Sequence, residues 1–304
     1  LPGGDGGGPE SGGGRGRAQR TQGRASCWSR GDGGPKWTAD CVCGRPLRLE
    51  DQAEGWIDRN QRLPAAIQQL LERQPLPALK ALNSELKGDP NRVSELLTEF
   101  LANNSGITLA LQGPPGTGKS TVTGQVIAQL AQQGKRNAIS SNSHAAINNL
   151  LKKAKRTCAE AGVSGQVVKC SNSKEEAMAE AGIAVLKPGQ LDDSSVVVGG
   201  TTWMFCREEL ADQFDLLVVD EAGQMSLANL LVMARCARSI LLVGDQQQLA
   251  QPSQADHPGE SGVSCLEYWM EGASVVPDDR GVFLSTSWRM EPSLTAMVSA
   301  LFYE

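Results

Sequence analysis

The sequence predicts a three-layer α/β fold, with helices on both faces of a mainly parallel sheet, and three observations carry that prediction. A glycine-rich segment, Gly113-Pro114-Pro115-Gly116-Thr117-Gly118-Lys119-Ser120, joins an apolar strand to an amphipathic helix. Leu216-Leu217-Val218-Val219 and Ile240-Leu241-Leu242-Val243 are continuously apolar, as are strands covered on both faces of a parallel sheet. Strand and helix patterns also alternate with short connections from residue 107 onward.

Residues 1–50 hold 14 of the 34 glycines, interleaved with Arg15, Arg17, Arg20, Arg24 and Arg30. Such a stretch buries too little apolar surface to offset its ordering entropy, so it is expected to be disordered. An RNA-contacting arginine-glycine tail is the sharper alternative. Residues 51–104 read as a helical lead-in. Ile67, Leu70 and Leu71 form one stripe, broken by Pro75 and Pro77, and Leu79, Leu82 and Leu86 form a second ahead of Gly88-Asp89-Pro90. Val93, Leu96, Leu97 and Phe100 form a third.

Residues 105–304 read as the main domain. Its first strand covers 107–112, and the helix after the glycine-rich loop places Val122, Val126, Ile127 and Leu130 on one face. A strand follows at 137–140, then a helix at 145–156 with Ser143 as its cap and Ile147, Leu150, Leu151 and Ala154 inward. Further strands read at 167–170 and 196–199.

Composition narrows the function classes. With 304 residues and 40% hydrophobic content the chain can bury a real core, and length alone favours about two domains. No apolar run approaches the roughly 20 residues of a membrane span. The net charge of −5 excludes a molecule coated in basic surface, so any nucleic-acid site must be a local groove. The eight scattered cysteines read as reduced thiols of a cytoplasmic protein, and Cys27, Cys41 and Cys43 lack a fourth ligand at zinc-like spacing. Leu1 in place of Met, and Leu301-Phe302-Tyr303-Glu304 inside an apolar-periodic helix, read as a fragment of a longer chain.

The glycine-rich segment fits G-x-x-x-x-G-K-[ST] in the strand-loop-helix context that gives this pattern its meaning. Backbone N–H groups of the glycine-rich turn and of the first helical turn to Thr121 converge on phosphate, Lys119 supplies a point charge for the β- and γ-phosphates, and the Ser120 hydroxyl ligates Mg²⁺. ATP and Mg²⁺ are the implied ligands. Asp220 and Glu221 follow the first continuous apolar run. There the first acid is placed to hold the metal and the second to orient and deprotonate an attacking water. Gln248 follows the second run, where neighbouring strand ends share one crevice, and it can sense the γ-phosphate.

Gly113 to Ser120, Asp220-Glu221-Ala222-Gly223-Gln224, Gly244-Asp245-Gln246-Gln247-Gln248-Leu249 and Ser287-Trp288-Arg289-Met290-Glu291-Pro292, in this order, resemble motifs I to IV of superfamily 1 helicases. These are RecA-like P-loop NTPases, and the resemblance is to the Upf-like branch that includes the nonsense-mediated-decay helicase. Gln224 and the Arg-Met-x-Pro segment are the discriminating parts. The stretch from Asp256-His257-Pro258 through Glu267 and Asp279-Arg280-Gly281 to Phe302-Tyr303 further resembles bacterial proteins in which a RecB-like nuclease precedes such a helicase.

The resemblance implies ATP-driven movement along single-stranded nucleic acid, DNA through the nuclease-linked likeness, by the first of two RecA-like motor domains. A second motor domain with an arginine finger, and a nuclease domain, are the implied partners within the parent chain; without the former, ATP should bind yet turn over hardly at all. By the same resemblance Lys119, Glu221, Gln248 and Arg289 are catalytic, with Arg289 reaching the γ-phosphate. Gln224 and Gln248 couple that phosphate to the strand. Ser141, Asn142, Thr201 and Thr202 contact the strand backbone. The sequence departs from the family at Gln246 and Ala250, where prolines are usual, and at Trp288 and Glu291, where Tyr and His are common. The adenine-reading glutamine has no counterpart beside Leu82-Asn83. Two rivals stand beside this reading: an ATPase that remodels proteins, which needs a lid in place of Gln224 and the Arg-Met-x-Pro segment, and a non-hydrolysing nucleotide-binding module, which has no use for both Asp220 and Glu221.

Overall fold

The computed structural model describes residues 63–173, 175–248 and 259–303, together with three short strands, Trp28–Arg30, Trp37–Ala39 and Leu47–Arg48, that pair antiparallel. The expected disorder over 1–50 otherwise lies outside the described residues, as do Cys27, Cys41, Cys43, Ala250 and Asp256-His257-Pro258.

Eight strands form one parallel sheet: β1 (Thr108–Gln112), β2 (Asn137–Ser140), β3 (Gln166–Cys170), β4 (Ala184–Leu186), β5 (Ser195–Gly199), β6 (Phe214–Val219), β7 (Ala237–Gly244) and β8 (Gly281–Phe283). Their spatial order is β8-β1-β7-β6-β2-β5-β3-β4. The helices are α1 (Ala65–Leu71), α2 (Leu79–Gly88), α3 (Val93–Asn103), α4 (Lys119–Gln132), α5 (His144–Glu160), α6 (Glu176–Glu180), α7 (Thr202–Phe205), α8 (Leu227–Met233), α9 (Cys265–Met270) and α10 (Pro292–Phe302).

Alternation along each central strand feeds two cores. Leu109, Leu111, Val218, Leu241 and Val243 join the core that α2 to α5 cover. Ala110, Leu217, Val219, Ile240 and Leu242 join the opposite one, beneath α1, α7, α8 and α9. Both faces are buried, which is why these strands show no polar alternation. The fold is therefore the RecA-like three-layer P-loop arrangement.

Three differences from the sequence-based expectations have simple causes. The lead-in helices share the main cores: Ile67 and Leu70 sit under one face, Leu79, Leu82 and Leu97 under the other, and Thr108 Oγ1 donates to Ala66 O at 2.8 Å. The helix expected at 145–156 runs to Glu160, because Cys158 continues its buried stripe and the left-handed Gly162 (φ 69°) lies just beyond its end. Its start is as expected, with Ala146 N donating to Ser143 Oγ at 3.1 Å. Edge strands β4 and β8, three residues each, are too short to show a period.

Cys158, Cys170, Cys236 and Cys265 are buried free thiols, and Cys206 is buried as well. Among the described residues, no helix is long and apolar enough to cross a membrane.

Candidate nucleotide and strand-binding site

Because every pairing in the main sheet is parallel, all its carboxyl ends share one edge. Along that edge stand, in spatial order, the Arg289 segment after β8, the glycine-rich loop after β1, Asp245 to Gln248 after β7, Asp220 to Gln224 after β6, Ser141 to His144 after β2, and Gly200 to Thr202 after β5. Segments far apart in sequence meet there.

The glycine-rich loop closes on itself and on two neighbours. Gly116 and Gly118 both have φ 86°, a conformation that costs glycine little and other residues much. A Cβ on Gly116 would stand 2.5 Å from Arg289 Cβ, and Trp288 N donates to Gly116 O at 3.0 Å, so the Arg289 segment packs directly on the loop. Thr117 Oγ1 donates to Pro114 O at 2.9 Å, and Gly113 N donates to Gly244 O at 3.2 Å, which ties the loop to β7.

Lys119 Nζ donates to Gly113 O and Pro114 O. Burial pushes its pKa down and the nearby Arg289 adds to this, while Asp245, Glu221 and Asp220 oppose it. The cation thus feels three acids, and of these Glu221 shares with it the lining of a cleft of about 1350 Å³, together with Pro115, residues 116–121, Gln248, Trp288 and Arg289.

Asp220 is 9% exposed, and its carboxyl is pushed up to about 6, first by burial and then by the charge of Glu221. Its Oδ1 accepts from Glu221 N at 3.1 Å, and its own N–H donates to Ser140 O. Glu221 sits at φ 55°, a left-handed conformation that a glutamate holds only under constraint. Asp220 lies behind the lining, next to Glu221, while Ser120 and Glu221 line the cleft; a buried carboxylate whose ionisation is resisted, beside that cleft, fits a hard divalent cation that takes its remaining oxygens from phosphate and water. Mg²⁺ is such a cation.

The sign of the Asp220 shift predicts a stability change. A folded-state pKa above the unfolded value means that the folded protein holds the proton more tightly. Stability from this group therefore falls as pH rises from about 4 to about 6, and the full penalty stands above that window. Asp220→Asn is expected to raise thermal stability at pH 7.5 by up to about 3 kcal/mol, and the gain should vanish below pH 4. Thermal unfolding followed by circular dichroism across that range checks it.

The other expected site residues are not all placed alike. Gln248 and Arg289 line the cleft, but Gln224 does not; its carbonyl accepts from Asn142 Nδ2, joining the turn after β6 to the loop after β2. Ser141 is 3% exposed and Thr202 8%, and the Thr202 hydroxyl lies 3.9 Å from Met225 Sδ. These two side chains turn into the interior, so only Asn142 and Thr201 of the four present partly exposed side chains at the edge. Asn83 Nδ2 donates to Asp278 O and Gly281 O, fastening α2 to β8.

Two residues at the site had no nucleotide role assigned from the sequence. Asp245, 2% exposed, accepts from Tyr303 Oη at 2.8 Å and Gln247 N at 3.1 Å. Its signal was the same as that of Asp220, an acid ending an apolar strand. Lys153, inside the basic run of α5, donates to Thr121 Oγ1 at 2.6 Å and lines the cleft; nothing local distinguishes it from its neighbours Lys152 and Lys155.

A parallel sheet carrying a glycine-rich loop, a cleft lysine and an acid pair at one edge defines a P-loop NTPase. The AAA domain family matches residues 94–257, and the chain belongs to that family. Among curated relatives, the DNA replication ATP-dependent helicase/nuclease DNA2 of Saccharomyces cerevisiae is 30% identical over 45% of this chain and 9% of its own length. The Gallus gallus protein of the same name is 28% identical over 79% of this chain and 24% of its own, and JHS1 of Arabidopsis thaliana is 24% identical over 75% and 17%. This chain thus spans a quarter or less of each of these three relatives. An arterivirus nonstructural protein 10 helicase solved with DNA overlaps 64% of this chain and 39% of its own at 16% identity, with TM-score 0.39.

Proposed function

We propose that residues 105–304, completed by the lead-in helices, form the first RecA-like motor domain of a superfamily 1 helicase of the Upf-like branch, which hydrolyses ATP to move along single-stranded DNA. The carrying observation is that Lys119, Glu221, Gln248 and Arg289, from four separate segments, line one cleft. The names of the relatives, helicase/nucleases of DNA replication, support DNA as the track and a nuclease within the parent chain.

In this reading the loop N–H groups and Lys119 hold the phosphates, Glu221 orients and deprotonates the attacking water, and Arg289 and Gln248 approach the γ-phosphate. Ser120 and Asp220 would hold Mg²⁺, which neutralises phosphate charge when bound. A second motor domain of the parent chain would supply an arginine finger. The Asn142–Gln224 hydrogen bond supports coupling between strand and nucleotide, since it links the two halves of the sheet edge.

Strand binding should depend weakly on salt. Lys153 is bonded to Thr121, Lys155 to Gly182 O, and Arg156 lies 3.7 Å from Glu160, so most of the basic run is occupied within the fold. The slope of log affinity against log salt on single strands is about 0.7 per neutralised phosphate, and a value below about 2 is expected here. Fluorescence anisotropy of a labelled oligonucleotide across a salt series tests this, beside a variant with Lys152, Lys153, Lys155 and Arg156 neutralised. A steep slope that collapses in that variant would show that the basic helix, and not the polar loops, carries the strand. ATP turnover by the parent protein that is indifferent to single-stranded DNA would favour protein remodelling instead.

A further inference from the structure

On the strand-binding side of the same edge, the sequence places a lysine where the fold is dry. Lys169 lies within β3 and its side chain is 0% exposed, although burying an ammonium is expensive and an apolar side chain of similar volume is often tolerated as well or better. All three of its N–H groups are used. Nζ donates to Glu175 Oε2 at 2.7 Å, to Asn148 Oδ1 at 2.5 Å and to His144 Nδ1 at 3.1 Å. His144 and Asn148 are four residues apart on the first turns of α5, so they present one face to the lysine. Glu175 supplies the counter-charge from the segment leading into α6.

The consequence falls on His144. Its side chain is 60% exposed, and it stands two residues after Asn142 at the end of β2. The same Nδ1 lies 3.5 Å from Glu175 Oε1, but Lys169 Nζ is nearer at 3.1 Å and an ammonium has no acceptor, so toward the lysine Nδ1 is the accepting nitrogen and the ring proton is placed on Nε2. The buried cluster therefore fixes both the tautomer and the orientation of an exposed imidazole. We propose that His144 is a single-strand contact, donating through Nε2–H to a phosphodiester oxygen, and that Lys169, with Glu175 and Asn148, is the positioning group that holds it. This rests on the strand-binding reading above. It also gives a physical reason for a buried charge that packing alone does not require.

The chain has two histidines, so a long-range ¹H–¹⁵N spectrum at pH 7.5, with His257→Ala for assignment, reads the His144 tautomer directly. The Nε2–H form is expected in the parent, with that preference lost in Lys169→Met. In anisotropy titrations with a labelled oligothymidylate, His144→Ala should bind about three- to tenfold more weakly and His144→Gln, which keeps an N–H donor, should recover most of the loss. Binding of a fluorescent ADP should stay within twofold in all variants. If Lys169→Met does not fold, the tautomer and the two His144 variants decide. A predominant Nδ1–H form, or His144→Ala binding as tightly as the parent, overturns the proposal alone; a parent chain that binds no oligonucleotide overturns the strand-binding reading and this proposal with it.

Discussion

Lys119→Ala is expected to weaken nucleotide binding by about a hundredfold, the largest single effect on affinity anywhere in the cleft. The ammonium is a partly desolvated point charge that meets phosphate in the ground state, and a charge-assisted hydrogen bond of this kind is worth about 1.5–3 kcal/mol. Its partners in the fold are the Gly113 and Pro114 carbonyls of its own loop, so its loss should leave the two cores intact. Titration with a fluorescent ADP at fixed Mg²⁺ measures the effect, and an unfolding midpoint close to the parent's establishes that the loss is local. Affinity within threefold of the parent would contradict the assigned role.

Glu221→Gln should separate binding from chemistry. The amide keeps the size of the side chain and the constrained backbone at φ 55°, but it cannot accept a proton from water. Removing a positioned general base costs about 10² to 10⁴ in rate, so DNA-stimulated ATP turnover by the parent protein should fall by that factor while ADP affinity stays within threefold. Reading the two variants together matters, because a group acting only in the transition state lowers turnover alone, whereas Lys119 acts on both. Equal loss of affinity in both variants would show that Glu221 serves the fold or the ground state rather than the reaction.

Much of this site could be read along the chain. Lys119, Ser120, Asp220 and Glu221 announce themselves because a phosphate loop and a strand-end acid are local devices: their chemistry requires fixed residue types at fixed spacing beside an apolar strand. The central strands were equally plain, since burial on both faces removes polar residues from 216–219 and 240–243. Short edge strands carried no such constraint, and the end of α5 was masked by the basic run Lys152 to Arg156, although Cys158 beyond it continues the buried stripe.

What no local pattern contains is the order of the strands across the sheet. Placing β2 beside β6, and β5 beside β2, depends on which long-range pairings bury the most surface at once, a global property of the packed chain. That order sets Arg289 against Gly116, joins Asn142 to Gln224, and turns Ser141 and Thr202 inward although their polarity suggested an exposed groove. It also explains Lys169. In the sequence it is one charged residue in a short strand; folded, it is enclosed by three partners drawn from α5 and the approach to α6, and burial converts an ordinary surface residue type into a fixed donor beside the carboxyl edge of the sheet.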